Sequence, residues 1–133
     1  MKKIGELKIE LNRMKRGTTK PLIHNIEIIK LKTDKRYVGI VDTGADITRI
    51  DSILFKILGL DEVEKDIYKL EFKIKSLFND KILSFEIQPI DIPHNNKSDI
   101  KPDILLGRDF LTLCKMQYDG LNNMVILEAF SND

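Results

Sequence analysis

Asp42-Thr43-Gly44 is the stretch of this 133-residue chain whose residue types could do chemistry. It follows the apolar run Gly39-Ile40-Val41, so a carboxylate stands where a buried strand is finishing. On a rigid mounting such a group can serve as general acid or base. The plainer reading is a turn, since Asp, Thr and Gly all suit the end of a strand. A second segment shares the design: Ile104-Leu105-Leu106 runs into Gly107, and Arg108-Asp109 follow. At Gly44 and Gly107 the missing Cβ would let another backbone come close. The remaining reactive residues read as ordinary. His24 and His94 have no partner spacing and no metal-ligand pattern. Cys114 opens an apolar stretch and reads as a small buried hydrophobe rather than a nucleophile.

The elements that must position these residues are mostly strands. Leu7, Ile9 and Leu11 alternate with Lys8 and Glu10, and an apolar-rich run from Pro21 to Leu31 precedes the strand Tyr37–Val41. Leu70, Phe72 and Ile74, then Leu83, Phe85 and Ile87, alternate on either side of Asn79-Asp80, which reads as a hairpin turn. Residues 103–107 form another short buried strand. Residues 114–118 and 124–130 flank the turn Asp119–Asn123 as a last hairpin. Only two helices are expected: residues 52–58, with Ser52 as cap and Gly59 as terminator, and a short one from Arg108. Many short strands separated by turns predict an all-β barrel.

Composition narrows the classes. A chain of this length suits one domain, which buries about two thirds of its unfolded surface. Lys plus Arg is 22 and Asp plus Glu 21, giving a net charge of +1 and no general pull toward nucleic acid or anionic membrane. The first twenty residues are locally basic but lack aromatics for base stacking, so they read as a solvated face. One cysteine permits no internal disulfide and fits a reducing compartment. No apolar stretch approaches the roughly 18 residues of a membrane span, and no signal-peptide core is evident. A soluble, cytoplasmic protein is expected.

Taken together, the two segments carry a resemblance. Asp42-Thr43-Gly44-Ala45 is similar to the catalytic loop of the retropepsins, the retroviral-type aspartic proteases and their cellular and bacterial relatives. Ile104-Leu105-Leu106-Gly107-Arg108-Asp109 is similar to their second signature, an apolar triplet with Gly-Arg-Asp before a C-terminal helix. A lone Asp-Thr-Gly arises by chance in about a few per cent of chains this long, so the second motif matters. The similarity covers roughly residues 21–130 in order. It implies a small closed barrel with one lobe per chain and one short C-terminal helix, residues 21–133 forming the protease-like domain and 1–20 an N-terminal strand and basic link.

The implied chemistry is peptide-bond hydrolysis without metal or other cofactor. Two carboxylates sharing one proton supply both base and acid, because like charges held that close cannot both ionise. This chain has one Asp-[Ser/Thr]-Gly and no room for a second lobe, so the resemblance implies a homodimer with one Asp42 from each subunit. Thr43 would then hydrogen-bond across the dimer axis, Gly44 would offer its carbonyl to substrate, and Ala45 would keep the floor small. Asp46 would contact substrate backbone and pair with Arg108, tying the loop to the helix. Gly107 and Asp109 would support the site, Asp109 as a helix-start acid or brace. Lys20 falls where the family often places a basic residue that reaches the partner. The partners implied are a second copy and a peptide or protein substrate, with no nucleic acid and no membrane. The family's covering flap should fall over residues 61–72, which contain no glycine, so a tip around Lys65–Lys69 is expected to turn without left-handed freedom. The C-terminal apolar strand is expected to contact the partner, as termini do in that family. The alternative is a catalytically silent module of the same fold that dimerises or binds peptides. An unrelated ligand-binding barrel would be a monomer.

Overall fold

The computed structural model describes residues 2–13, 19–31, 35–76, 81–93, 103–112 and 114–131. Within them the chain forms eleven strands and two short helices. The strands are β1 (Lys2–Arg13), β2 (Thr19–Ile28), β3 (Tyr37–Val41), β4 (Arg49–Asp51), β5 (Asp61–Glu64), β6 (Ile67–Lys75), β7 (Ile82–Ile87), β8 (Ile90–Ile92), β9 (Ile104–Leu106), β10 (Cys114–Asp119) and β11 (Met124–Ser131). The helices are α1 (Ser52–Leu58) and α2 (Arg108–Leu111). No helix of the described residues is long and apolar enough to cross a membrane.

The strand order is β10-β11-β1-β2-β3-β9-β4-β8, and β2 also pairs with β6, which carries β5 and β7. The sequence predicts a closed barrel, but among the described residues no strand pair joins β8 to β10. The sheet curls and branches at β2, which gives Leu11 to Pro21, Ile23 to Gly39 and Ile28 to Phe72 as successive neighbours on three different strands. Closure would need every edge paired, and β10 and β8 keep one edge each.

Alternation accounts for most of these strands. Leu7, Ile9 and Leu11 are buried while Lys8 and Glu10 face outward, and Leu70, Phe72 and Ile74 do the same on β6. β6 and β7 pair antiparallel with Phe72 opposite Phe85. The proposed turn at Asn79-Asp80 lies outside the described residues, as do Met14, Phe78 and His94. Phe72 stacks on Phe85 at 5.3 Å, and Phe110 of α2 meets Phe85 edge-on at 4.9 Å. One core therefore fixes α2 through Phe110, next to the second signature.

Three local details differ from the sequence expectation. The cap of α1 is Asp51, whose carboxylate accepts the N–H groups of Ile53 and Leu54, because Ser52 is already the first helical residue. Gly59 does end that helix, with φ 56° in the left-handed region. The second detail is the 61–72 hairpin, which turns tightly at Lys65-Asp66. Asp66 supplies the left-handed residue itself, at φ 63°, a conformation that Asp tolerates better than most non-glycine residues. The base of this hairpin is held by Lys30, which donates to the Gly59 carbonyl and the Asp61 carboxylate, both at 2.8 Å. Third, β11 has β1 on one edge and β10 on the other, so the backbone expected to meet a partner subunit is already paired within the chain. The open edge passes to β10.

Phe72 is fully buried at the centre of the aromatic group. Phe72→Ala should cost about 3–5 kcal/mol in denaturant unfolding, whereas Leu121→Ser, at a fully exposed turn position, should change stability by less than about 0.5 kcal/mol. A Phe72→Ala chain as stable as the wild type would remove the core from where it is placed here.

Candidate active site

β3 is mounted on β9. The two run parallel with Val41 beside Leu106, and the next residue, Asp42, donates its N–H to the Leu106 carbonyl at 2.8 Å. Asp103 pins the other end of the pair: its N–H donates to the Val38 carbonyl and its carboxylate accepts the Val38 N–H, each at 2.8 Å. The strand that ends at Asp42 is thus held at both ends by one neighbour.

Beyond it the chain turns at once. The Asp42 carboxylate accepts the Gly44 N–H at 2.9 Å, and the Asp42 carbonyl accepts the Ala45 N–H at 3.2 Å. These bonds fix the direction of a carboxylate that is half-buried, while Thr43 and Gly44 are exposed at the tip and Ala45 is buried beneath. A Cβ on Gly44 would meet Asp42 Oδ1 at 3.2 Å. The crowding at Gly44 therefore comes from the carboxylate it holds, and not from a second backbone of the same chain.

Gly107 is where two backbones do meet. A Cβ there would lie 2.8 Å from the Ala45 carbonyl oxygen and from the Ile47 carbonyl carbon, closer than real side chains come. Around this contact three bonds join the segments: Arg108 N–H to the Ala45 carbonyl (2.8 Å), Gly107 N–H to Thr48 Oγ1 (3.1 Å), and Thr48 O–H to Asp109 Oδ1 (2.7 Å). Asp109 Oδ1 also accepts the N–H groups of Thr48 and Phe110, both at 2.9 Å. Its Oδ2 is buried without a hydrogen-bond partner among the described residues. Thr48 is completely buried, and its hydroxyl donates and accepts at once. The sequence analysis passed over Thr48 and Asp103. The one signal for Thr48 is a polar β-branched residue where the loop is about to enter β4. Its partners lie some sixty positions away, out of reach of local pattern.

The resemblance implied a side-chain pair between Asp46 and Arg108, and the described residues do not form it. Asp46 is exposed; its carboxylate accepts the Ile47 N–H at 3.0 Å and lies 3.8 Å from the Arg49 guanidinium. Arg49 follows one turn of chain later and lies nearer, and an exposed pair at that distance is worth little. Arg108 joins the loop through its backbone N–H, with its side chain in solvent.

Other candidates fall away. Burial pushes the Cys114 thiol up to about 11, so it is protonated near neutrality and a poor nucleophile. Among the described residues no group of three or more His, Cys, Asp or Glu could hold a metal. An open groove of about 390 Å³ borders the loop, lined by Ile47, Glu86, Ile87, Gln88 and Asp109. Within one chain Asp42 can accept or give a proton, but no second carboxylate is hydrogen-bonded to it among the described residues, so it cannot do both in one turnover.

Solved structures share this arrangement of strands. A retropepsin-like aspartic protease from Rickettsia conorii superposes over 94% of this chain and 90% of its own, with a TM-score of 0.59 and 21% identity. The retroviral protease-like domain of Ddi1 from Leishmania major aligns over 100% of this chain and 98% of its own, with a TM-score of 0.46 and 15% identity. No protein-family model and no curated protein matches the sequence. The chain has a retropepsin-like, mostly β fold.

Thr48→Val keeps the shape but removes the hydroxyl, orphaning the Gly107 N–H and one acceptor site on Asp109. It should cost about 2 kcal/mol of stability, the penalty of buried polar groups left unmade, and Thr48→Ser should recover most of it. Equal unfolding midpoints for Thr48→Val and wild type would show that these bonds do not hold the loop.

Proposed function

We propose that this chain is an aspartic-type endopeptidase that works as a homodimer, each subunit bringing one Asp42 to a shared site. The observation that carries the reading is the mounting of Asp42, a half-buried carboxylate fixed at the end of β3 with an exposed Thr43-Gly44 tip beyond it. Nothing in the loop interposes between that tip and a second copy. With two such carboxylates and one proton, the ionised member takes a proton from water as the water oxygen attacks the peptide carbonyl carbon, and the protonated member gives its proton to the carbonyl oxygen. Collapse of the tetrahedral species breaks the C–N bond as a proton passes to the amine nitrogen. The pair finishes with the single proton it began with.

The other residues take supporting roles in this reading. Thr43 bonds across the axis and keeps the carboxylates coplanar, Gly44 and Ala45 leave space for an extended peptide, and Asp46 contacts its backbone. Gly107, Arg108 and Asp109 hold the loop from below. The hairpin of β5 and β6 stands as the cover, with Asp66 serving at its turn in place of glycine. Binding of the peptide is by strand-like pairing in a cleft between subunits, and the chemistry requires no metal or other cofactor. A single cysteine suits a reducing, cytoplasmic setting.

The test is cleavage of a diverse peptide mixture by wild type and Asp42→Asn between about pH 4 and about pH 8, with native mass recorded for both. The expected result is cleavage by the wild type that rises and then falls across that range, as a pair holding one proton requires, and none by the variant, both proteins being dimers. A rate that kept climbing above neutrality would contradict the shared proton. A folded, dimeric, inactive wild type would favour the silent peptide-binding module instead.

A further inference from the structure

β10 ends the strand order and pairs only with β11 among the described residues, so its outer edge presents backbone N–H and C=O groups to whatever comes alongside. It has little of the protection that edge strands usually carry. It contains no proline, its register with β11 is unbroken from Cys114 to Asp119, and Lys115 is the one charge among its four exposed central residues. Met116 and Tyr118 are 39% and 57% exposed, although the residues opposite them on β11, Leu127 and Val125, are buried. The apolar face of the sheet runs one strand beyond what covers it.

The geometry points to a second copy of this chain as the occupant of that edge, its β10 pairing antiparallel with this one about a two-fold axis at Gln117. A two-fold axis normal to a sheet leaves every side chain on its own face, so it must fall at a residue and not between two. Centring on Gln117 sets Lys115 opposite the partner's Asp119 and Met116 opposite the partner's Tyr118, each contact occurring twice. Opposite charges and apolar pairs directly across an antiparallel ladder stabilise it. Centring on Met116 would put Lys115 against glutamine and leave Asp119 outside the pair. Centring on Tyr118 would put Met116 against Gly120 and leave Lys115 unmatched. Charge complementarity therefore selects one register.

Asp119 is prepared for the contact. Its carboxylate accepts the Asn122 N–H at 3.1 Å and the Asn122 side-chain amide at 2.8 Å, which orient it and hold its pKa below the ordinary carboxylate value. The edge also lies close in sequence to the catalytic mounting: Leu106 accepts the Asp42 N–H, the chain makes the short helix α2, and β10 begins at Cys114. One axis can then serve both. This rests on the reading that the working unit is a pair of chains, and it names the surface by which the pair forms.

Charge reversal with mixing tests it. Lys115→Glu and Asp119→Lys should each weaken self-association about tenfold in sedimentation equilibrium, equivalent to about 1.4 kcal/mol, because each homodimer then holds two like-charged contacts. An equimolar mixture of the two variants should associate like wild type, since the heterodimer restores both opposite-charge contacts. A folding defect in either variant could not be complemented this way. Wild-type association by each variant alone, or no recovery on mixing, overturns the edge pairing even if the enzyme is an active dimer. A wild type that dimerises without cleaving peptides, with variants that behave as expected, keeps the pairing and removes the protease. A wild type that stays monomeric removes both.

Discussion

Two stretches of backbone, 45–48 and 107–109, lie closer together than any residue but glycine permits at position 107. The contact leaves no room for solvent or side chain, so the polar groups on both sides must satisfy one another. Thr48 and Asp109 do most of this, with one hydroxyl and one carboxylate oxygen tying together four backbone or side-chain donors. Because Thr48 is fully buried, each of these bonds is costly to leave unmade. The direction of the Asp42 loop is therefore set from beneath by a segment far away in sequence.

The rest of the fold serves that contact. β9 lies parallel to β3 and delivers Gly107 to the underside of the loop, while Phe110, wedged against Phe72 and Phe85, keeps α2 from sliding along it. Parallel pairing between two short strands is weak on its own, and Asp103 reinforces it by gripping both polar groups of Val38. The long strands β1, β2, β6 and β11 supply the core against which these short pieces are held. Stability is concentrated in the long strands, and the chemistry sits on short ones mounted over them.

Much of this could be read from residue pattern. The alternating strands, α1 with its Gly59 terminator, the last hairpin and the two motif segments follow from local periodicity and turn chemistry, which is where short-range physics decides. β4 and β8, at three residues each, are too short to show a period. Thr48 and Asp103 were illegible because their function is a long-range bond, and nothing in their neighbours distinguishes a buried threonine from an exposed one. The left-handed Asp66 was missed for a different reason: absence of glycine was taken as absence of left-handed backbone, and Asp occupies that region at modest cost. The Asp46–Arg108 pair was carried over from a resemblance, and the nearer Arg49 displaced it.

The central claim is that one active site needs two copies of Asp42. It is tested most directly by mixing wild-type chain with Asp42→Asn chain in varying proportion, letting subunits exchange, and measuring peptide cleavage at constant total protein. If both carboxylates are required, activity follows the square of the wild-type fraction and falls to about a quarter at equal proportions, since only one pairing in about four carries two aspartates. Activity that fell in simple proportion, to about half, would mean that a single chain carries a complete site, and would contradict the shared pair.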